Sequence, residues 1–253
     1  YDELSVSVFR PKFCELEFSA RGALPGVAFA GERCRGVVEG FVDRVDVWQS
    51  GGRPYVRVVD YKTGKKSFDY TNVLHGRGLQ MLLYLFALVR QGGHLLHGEP
   101  LPAGVLYFPA RIERVSVRDR LAQAEIEKER RKQLRRSGVL LNSDPVLEAM
   151  EPCGGSPRFL PYTLDKEGRK TGDLASFVQL AQLERFVFRT VAALGDELAD
   201  GRIDPDPCIR DAKDSACAFC PYSEVCAGHE QPRWLKKITA EEFWQTLERR
   251  EHG

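Results

Sequence analysis

Apolar and polar residues alternate over the first quarter of the chain, which is the pattern of β-strands with one covered face. Residues 5 to 18 are rich in β-branched and aromatic side chains and predict a strand, with or without a return strand. Residues 36 to 48 and 54 to 62 predict two more strands, and residues 49 to 53 form a polar, glycine-rich turn between them. These segments predict an antiparallel meander.

The rest of the hydrophobic pattern predicts helices and one further strand. Residues 72 to 91 are densely apolar, with glycine only near the start, and predict a helix that packs on the sheet. Residues 104 to 109 then predict a short buried strand. Residues 118 to 136 predict a highly charged helix, residues 139 to 172 an irregular excursion, and residues 174 to 199 a long helix with a broad apolar face.

Basic residues are concentrated at the C-terminal end of the charged helix. Runs of this kind are more often a solvated face whose cations suit the helix dipole, and that interpretation is favoured over contact with DNA or a partner. The residues are Arg130, Arg131, Lys132, Arg135 and Arg136.

The length and net charge of the chain exclude few classes of protein. The chain has 253 residues, of which 43% are hydrophobic, so it can bury a substantial core. Its formal net charge is +1, which neither supports nor excludes contact with DNA. The longest apolar stretch, residues 79 to 89, is well short of the roughly 20 residues that a membrane-spanning helix needs. We therefore expect no membrane anchor, and we expect the chain to be a piece of a longer protein.

The cysteines indicate a metal or cluster site. Cys217 and Cys220 are separated by two residues and can chelate one centre, and Cys226 can extend the set. Zinc and a [4Fe–4S] cluster both need four ligands, and zinc bound with Cys208 as the fourth ligand is an open alternative. An odd total of seven cysteines with three at this spacing favours a reducing, cytoplasmic compartment. The others are predicted to be ordinary packed or surface thiols: Cys14, Cys34 and Cys153.

The predicted hairpin carries two aspartates and a lysine at positions that its register brings close together. If the turn is centred on residues 51 and 52, paired residues have numbers that sum to 103, so Asp43 lies opposite Asp60. Paired carboxylates on one face can share a divalent cation, and Lys62 leaves the same face. Aspartate and lysine on hairpins often face solvent, but apolar residues on both faces of this strand indicate cover, which favours phosphodiester hydrolysis.

Gln80 and Tyr84 follow at helical spacing, so they share one helix face. Alone, the pair is a weak signal. The motifs together are more specific: residues 40 to 46 (Gly-Phe-Val-Asp-Arg-Val-Asp), residues 59 to 64 (Val-Asp-Tyr-Lys-Thr-Gly) and the Gln80/Tyr84 pair resemble the RecB-type branch of the PD-(D/E)XK nucleases. The cysteine triplet narrows this resemblance to the iron–sulfur members.

Residues 138 to 151 extend the resemblance to the C-terminal nuclease region of the AddB family, whose members belong to the bacterial AddAB helicase–nucleases. The resemblance runs over nearly the whole chain. It implies an α/β fold of the restriction-endonuclease type, with a mixed central sheet flanked by helices and a cysteine-rich C-terminal segment. The segments are then residues 1 to 110 (nuclease core), 111 to 201 (extension of the same domain) and 202 to 253 (cysteine-rich segment and C-terminal helix).

The resemblance also implies roles for individual residues. Asp43, Asp60 and Tyr61 hold Mg²⁺ or Mn²⁺, and Lys62 is catalytic. Gln80 and Tyr84 position the site or the DNA strand. Three further residues bind a [4Fe–4S] cluster that staples the domain: Cys217, Cys220 and Cys226.

Two departures from the family pattern are visible. The family's motif histidine lies on a helix before the first strand, and none of the chain's histidines stands there, including His75, His94, His97 and His229. The family's first cluster cysteine is also far upstream. We therefore expect an incomplete cluster, and a potential loss of activity, in this chain taken alone.

These observations predict a Mg²⁺-dependent DNA exonuclease domain of an ATP-dependent helicase–nuclease that processes double-strand breaks in recombinational repair, with a partner subunit of the AddA type. The chain has no phosphate-binding loop sequence, so ATP chemistry is expected elsewhere. Two alternatives are a freestanding iron–sulfur nuclease of the CRISPR-adaptation type and a non-catalytic, metal-stapled DNA-binding module. The complete Asp43, Asp60 and Lys62 set argues against the non-catalytic module.

Overall fold

The computed structural model describes residues 2–64, 67–110, 123–211, 214–218, 220–226 and 232–252. They form two compact units. The first unit comprises residues 1–28, 37–68 and 79–187, and the second comprises residues 29–36, 69–78 and 188–253. The sequence division at residues 110 and 201 stays a prediction.

The helices and strands of the described residues are, in chain order, α1 (Asp2–Val6), β1 (Arg10–Phe18), β2 (Val27–Ala30), β3 (Arg35–Val38), β4 (Gly40–Ser50), β5 (Arg53–Lys62), α2 (Tyr70–Leu74), α3 (Gln80–Gln91), α4 (Gly93–Leu96), β6 (Leu101–Pro109), α5 (Gln123–Leu134), β7 (Ser137–Leu141), α6 (Asp144–Met150), β8 (Tyr162–Leu164), β9 (Lys170–Gly172), β10 (Leu174–Ala175), α7 (Phe177–Ala199), β11 (Cys208–Ile209), β12 (Arg233–Trp234) and α8 (Ala240–His252). None of these helices is long and apolar enough to cross a membrane.

The first unit is built on a six-stranded sheet in the order β1-β4-β5-β6-β7-β10. Strands β1, β4 and β5 form the predicted antiparallel meander, while β5 pairs with β6 in parallel. Parallel neighbours need a crossover connection, and the chain from α2 to α4 supplies it. Helix α3 packs on β5 and β6, and α6 contacts β7. The predicted mixed sheet flanked by helices is therefore confirmed.

The single helix predicted over residues 72 to 91 is wrong, because the chain breaks between α2 and α3. Gly76 and Gly78 adopt φ angles of 73° and 68°, a left-handed conformation that suits glycine and ends a helix. Asp69 starts the shorter helix, since its Oδ1 accepts hydrogen bonds from the backbone N–H groups of Thr71 at 2.8 Å and Asn72 at 3.2 Å. Helix α3 then begins at Gln80.

Two other predictions need correction. Residues 139 to 172 are not an irregular excursion, because they contribute to β7 inside the central sheet and contain α6. Strand β7 approaches β6 so closely that a Cβ atom on Gly138 would lie 1.9 Å from the carbonyl oxygen of Val105. The strand predicted from residue 5 begins at Arg10, and α1 precedes it. Of the charged helix predicted over residues 118 to 136, residues 118 to 122 lie outside the described chain, and α5 covers 123 to 134.

The core of the first unit explains why α3 carries so few polar residues. All of its residues from 81 to 88 are buried, so the helix is covered on every side. The valines of the sheet are buried as completely, and Val45, Val56, Val58 and Val105 are 0% exposed. In the second unit, the ring of Tyr70 on α2 packs against Phe243 on α8, with centroids 5.0 Å apart.

Candidate active site

The β4–β5 hairpin has the register that the sequence predicts. Residue numbers of the paired positions sum to 103 from Arg44 and Val59 at one end to Ser50 and Arg53 at the turn. The turn consists of two glycines with φ angles of 59° and 75°, which glycine adopts readily and which suit a tight hairpin. Beyond the Arg44–Val59 pair, the next positions on the two strands are those of Asp43 and Asp60.

At these positions a side-chain hydrogen bond takes the place of the backbone hydrogen bonds that pair β4 with β5. Oδ2 of Asp43 accepts a hydrogen bond of 2.8 Å from the backbone N–H of Tyr61. The carboxylate of Asp43 is therefore fixed against β5 at the peptide that follows Asp60. Side chains alternate along a strand, so Asp60 and Lys62 share one face and Tyr61 points to the other.

Asp60 and Lys62 form a partly buried ion pair. The ammonium nitrogen of Lys62 lies 2.6 Å from Oδ2 of Asp60. Asp60 is 7% exposed, and burial of a carboxylate without compensating partners is costly. Asp43 and Asp60 therefore supply oxygen ligands of the type that a hard divalent cation prefers, with an ammonium group beside them.

Tyr107 is a neighbour of this site that the sequence analysis missed. It lies opposite Asp60 in the parallel β5–β6 pairing. Burial, together with the negative charge of Asp60, raises the pKa of Tyr107 to about 12. Its phenol is therefore protonated at neutral pH. No local sequence signal marks it, because the register of a parallel pair joined by a long crossover cannot be read from either strand.

Gln80 and Tyr84 are brought together and placed against the start of β4. Nε2 of Gln80 donates a hydrogen bond of 3.2 Å to the hydroxyl of Tyr84. The Tyr84 ring is 4% exposed and stacks on Phe18, with centroids 5.4 Å apart. A Cβ atom on Gly40 would lie 2.0 Å from the Tyr84 hydroxyl oxygen. Gly40 is therefore required by the close approach of Tyr84, three positions before Asp43.

We expect Gly40→Ala to displace the Tyr84 hydroxyl and to lower both stability and cleavage. Overpacking of this kind costs typically about 1–3 kcal/mol. Hydrogen exchange of β4 and α3 and a cleavage assay measure the two effects. The double variant Gly40→Ala/Tyr84→Phe removes the oxygen that the new methyl group meets, so it should recover part of the lost protection. A double variant no better than Gly40→Ala would contradict this explanation.

The opposite face of the hairpin carries a buried ionic network. Arg44 donates a hydrogen bond from Nη1 to the Tyr61 hydroxyl, and its Nε lies 2.9 Å from Oδ1 of Asp46. Oδ2 of Asp46 accepts a hydrogen bond of 2.8 Å from Nε of Arg57. Asp46 and Arg57 are both 0% exposed. The chain of contacts thus begins at Tyr61, between Asp60 and Lys62, and runs into the protein interior.

Glu3 continues the network and joins it to the start of β7. Its Oε1 lies 3.2 Å from Nη2 of Arg57, and its Oε2 accepts a hydrogen bond of 2.7 Å from Nη2 of Arg136. Burial acts to raise the pKa of Glu3, but the charges of Arg57 and Arg136 outweigh it and hold the pKa below its usual value. Glu3 is therefore ionised at neutral pH. Arg136 was predicted to belong to a solvated basic face, and its 5% exposure contradicts that prediction.

Comparison with known proteins decides the family. The model of the PD-(D/E)XK nuclease superfamily matches residues 1–227 of this chain. The chain belongs to this superfamily. The nuclease resemblance predicted from the hairpin motifs is thus confirmed, and so is the fold.

Two relatives of this PD-(D/E)XK domain are both named as ATP-dependent helicase/deoxyribonuclease subunits. The protein from Moorella thermoacetica is 37% identical over 223 residues, which are 87% of this chain and 19% of the relative. The protein from Clostridium kluyveri is 30% identical over an alignment of 253 positions, gaps included, which covers 95% of this chain and 22% of the relative. The chain therefore spans about a fifth of the length of these relatives.

The cysteine segment of this nuclease chain folds as a series of turns. The backbone N–H of Cys220 donates to the carbonyl of Cys217 at 3.2 Å, and that of Cys226 donates to Tyr222 at 3.0 Å. A turn that joins Cys217 to Cys220 suits a two-thiolate chelate. Among the described residues, however, no three His, Cys, Asp or Glu side chains converge on a possible metal position. His229 lies outside the described residues.

Arginines anchor the segment around Cys208 within the second unit. Arg210 donates to Oδ2 of Asp69 at 2.8 Å and to Oδ1 of Asn72 at 3.1 Å. Arg77 donates to Oδ1 of Asp214 at 2.6 Å. These contacts join the start of the cysteine segment to α2 and the glycine turn that follows it. The sequence analysis missed them, because they join residues far apart in the chain.

Proposed function

We propose that this chain is the DNA-cleaving nuclease domain of an ATP-dependent helicase–nuclease, acting as an exonuclease in double-strand break processing and recombinational repair. The observation that carries the proposal is the arrangement at the end of the β4–β5 hairpin. Asp60 and Lys62 form an ion pair of 2.6 Å, and the peptide between them donates its N–H to Asp43. Membership of the PD-(D/E)XK superfamily and the name of the relatives support it.

The donor set at this point fits a divalent cation of the Mg²⁺ or Mn²⁺ type. Asp43 and Asp60 would hold it, with the backbone at Tyr61 beside them. When bound there, such a cation would supply activation of water and neutralisation of charge on the scissile phosphate. The chain's own contribution is orientation, because the Tyr61 N–H holds the Asp43 carboxylate and burial fixes Asp60.

Lys62, Gln80 and Tyr84 complete the proposed site. The Lys62 side chain is 28% exposed and its ammonium group pairs with Asp60, so the ammonium group can orient the attacking water or stabilise negative charge on the phosphate. The Gln80–Tyr84 pair lies beside the start of β4, where it would position the strand that carries Asp43 or the DNA.

The surrounding assembly is also part of the proposal. ATP hydrolysis would lie outside this chain, in the rest of the full-length protein or in a partner of the AddA type. The proposed compartment is the cytoplasm. Cys217, Cys220 and Cys226 would bind a [4Fe–4S] cluster with a fourth cysteine outside this chain, and zinc bound with Cys208 is the alternative. Iron and zinc analysis of the full-length protein, purified without oxygen, distinguishes the two.

The test of function uses the full-length protein with its partner on linear duplex DNA. Chelation of divalent cations should stop cleavage, and Lys62→Ala should reduce it about 100-fold, the loss typical of one group that stabilises transition-state charge. Arg53→Ala is the matched control, because Arg53 lies at the other end of the same strand in an exposed ion pair. Cleavage by Lys62→Ala at the control rate would contradict the role of Lys62, and cleavage without divalent cations would contradict the proposed chemistry.

A further inference from the structure

A cavity of about 460 Å³ lies on the face of the hairpin opposite to Asp60 and Lys62. Its walls include Tyr61 and Arg44 from the hairpin, Phe108 at the end of β6, and Arg136 and Arg158. This volume is within the roughly 300–1,000 Å³ that is usual for small-ligand sites. All of these residues belong to the first unit.

The buried charges beside the cavity do not balance. Three guanidinium groups, those of Arg44, Arg57 and Arg136, share the two carboxylates of Glu3 and Asp46, and all five residues are at most 5% exposed. Within this five-residue network the guanidinium groups therefore outnumber the carboxylates by one. Nε of Arg136 is buried without a hydrogen-bond partner among the described residues. Uncompensated buried cations are costly, so the cluster favours an anion in the cavity.

The electrostatic cost is visible at Arg136. Burial lowers the pKa of Arg136, although the Glu3 carboxylate beside it acts in the opposite direction. A phosphate in the cavity would stabilise the charged guanidinium. Arg158 adds a fourth guanidinium at the rim, where its side chain is 42% exposed and lies 2.9 Å from Asp2.

Aromatic rings form the other part of the wall. The rings of Tyr61 and Phe108 have centroids 5.1 Å apart, and the Arg136 guanidinium lies 3.7 Å from the Phe108 centroid. Tyr61 is 41% exposed. Aromatic faces next to arginines are the combination that binds unpaired nucleotides, because the rings stack on bases and the arginines contact phosphates.

We propose that this cavity binds one nucleotide of single-stranded DNA, with its phosphate at Arg136 and Arg158 and its base against Tyr61 and Phe108. The inference rests on the proposed nuclease function. Tyr61 gives the cavity a direct connection to that function, because its side chain lines the cavity while its backbone N–H holds Asp43. A strand bound in the cavity would thus contact the residue between Asp60 and Lys62.

The experiment locates the strand directly in the full-length protein, in EDTA so that no cleavage is needed. A single-stranded oligonucleotide that carries 5-iododeoxyuridine is photo-crosslinked, and the modified peptides are identified by mass spectrometry. We expect crosslinks at Tyr61 or Phe108. Arg158→Ala should lower their yield about tenfold through loss of one charge-assisted phosphate contact. Because Arg158 is exposed, its replacement should leave the fold intact. The second variant is Phe108→Ala, which removes a stacking face.

Arg169→Ala is the matched control, since Arg169 is exposed in the same unit, lies outside the cavity wall and pairs with Asp165. It should leave the crosslink yield unchanged. Absence of crosslinks at Tyr61 and Phe108, or equal yields from Arg158→Ala and Arg169→Ala, would overturn the proposal. If thymidine monophosphate binds in the cavity while no oligonucleotide crosslink forms, the proposal would be overturned in favour of a free nucleotide as the ligand. Because the readout does not depend on cleavage, these results leave the test of nuclease activity separate.

Discussion

Asp60→Ala is expected to reduce DNA cleavage by about 1,000-fold or more while leaving DNA binding largely in place. A divalent cation that activates water and neutralises the phosphate contributes several kcal/mol to transition-state stabilisation, and each 1.36 kcal/mol corresponds to about a tenfold change in rate. The alanine removes the buried carboxylate that pairs with Lys62, so we expect it to hold neither the proposed cation nor the ammonium group in position. We expect DNA binding to persist, because contacts to phosphate and sugar form the larger part of protein–DNA interfaces and need not involve Asp60. Cleavage of linear duplex DNA and binding in EDTA measure the two quantities separately.

Glu99→Gln is the matched control for Asp60→Ala. Glu99 is a carboxylate in an exposed ion pair with Arg53 at the far end of β5, so its loss should change neither cleavage nor binding. Cleavage by Asp60→Ala at the rate of Glu99→Gln would show that Asp60 is not catalytic. It would favour the alternative in which the domain binds DNA without cutting it.

Glu3→Gln is expected to destabilise the hairpin by about 3–5 kcal/mol, because it removes one partner of a buried ion network. The variant leaves Arg136 without its carboxylate partner and leaves Arg57 with Asp46 alone. Glu3 contacts both guanidinium groups. Local stability can be measured in the full-length protein from the hydrogen exchange of peptides from β4 and β5. A loss of 3 kcal/mol corresponds to roughly a 100-fold decrease in protection, at about 1.4 kcal/mol for each factor of ten. A decrease of less than about tenfold would contradict this account.

The same network gives a pH dependence with a definite sign. The pKa of Glu3 is lower in the folded protein than its usual value, so its contribution to stability is present above the unfolded-state pKa of about 4.3. That contribution is lost as the pH falls through the lower folded-state pKa. Glu3→Gln should therefore remove part of the acid-induced loss of hairpin protection. An identical acid profile in the wild type and the variant would show that Glu3 does not carry it.

The local sequence determines the hairpin and, with it, the central part of the site. Strand alternation and the Gly51-Gly52 turn fix the register, so the relation between Asp43, Asp60 and Lys62 could be read directly from the residue numbers. This works because hairpin pairing joins residues close in the chain, and a slip by one position would turn every buried side chain to the wrong face. The Gln80–Tyr84 pair was readable for the same reason, since helix periodicity is local.

The hydrophobic pattern of the sequence did not assign the short segments correctly. The local pattern of apolar residues in β7 does not distinguish a strand from a loop or a buried piece of helix. The place of β7 in the sheet is set by its pairing with β6. Gly76 and Gly78 could lie within a helix or end one. Their left-handed backbone conformation separates α2 from α3.

Only the tertiary structure decided which distant residues surround the hairpin. The parallel pairing of β5 with β6 puts Tyr107 opposite Asp60, and helix packing puts Tyr84 against Gly40. Arg136 reaches Glu3 across 133 positions of sequence. Such contacts form because folding brings separate elements into one close-packed interior, where a charge without a partner carries the full cost of desolvation. The sequence therefore determined the β4–β5 hairpin with its two aspartates and its lysine, while the tertiary structure determined the place of Tyr107, the ionic network and the cavity around the hairpin.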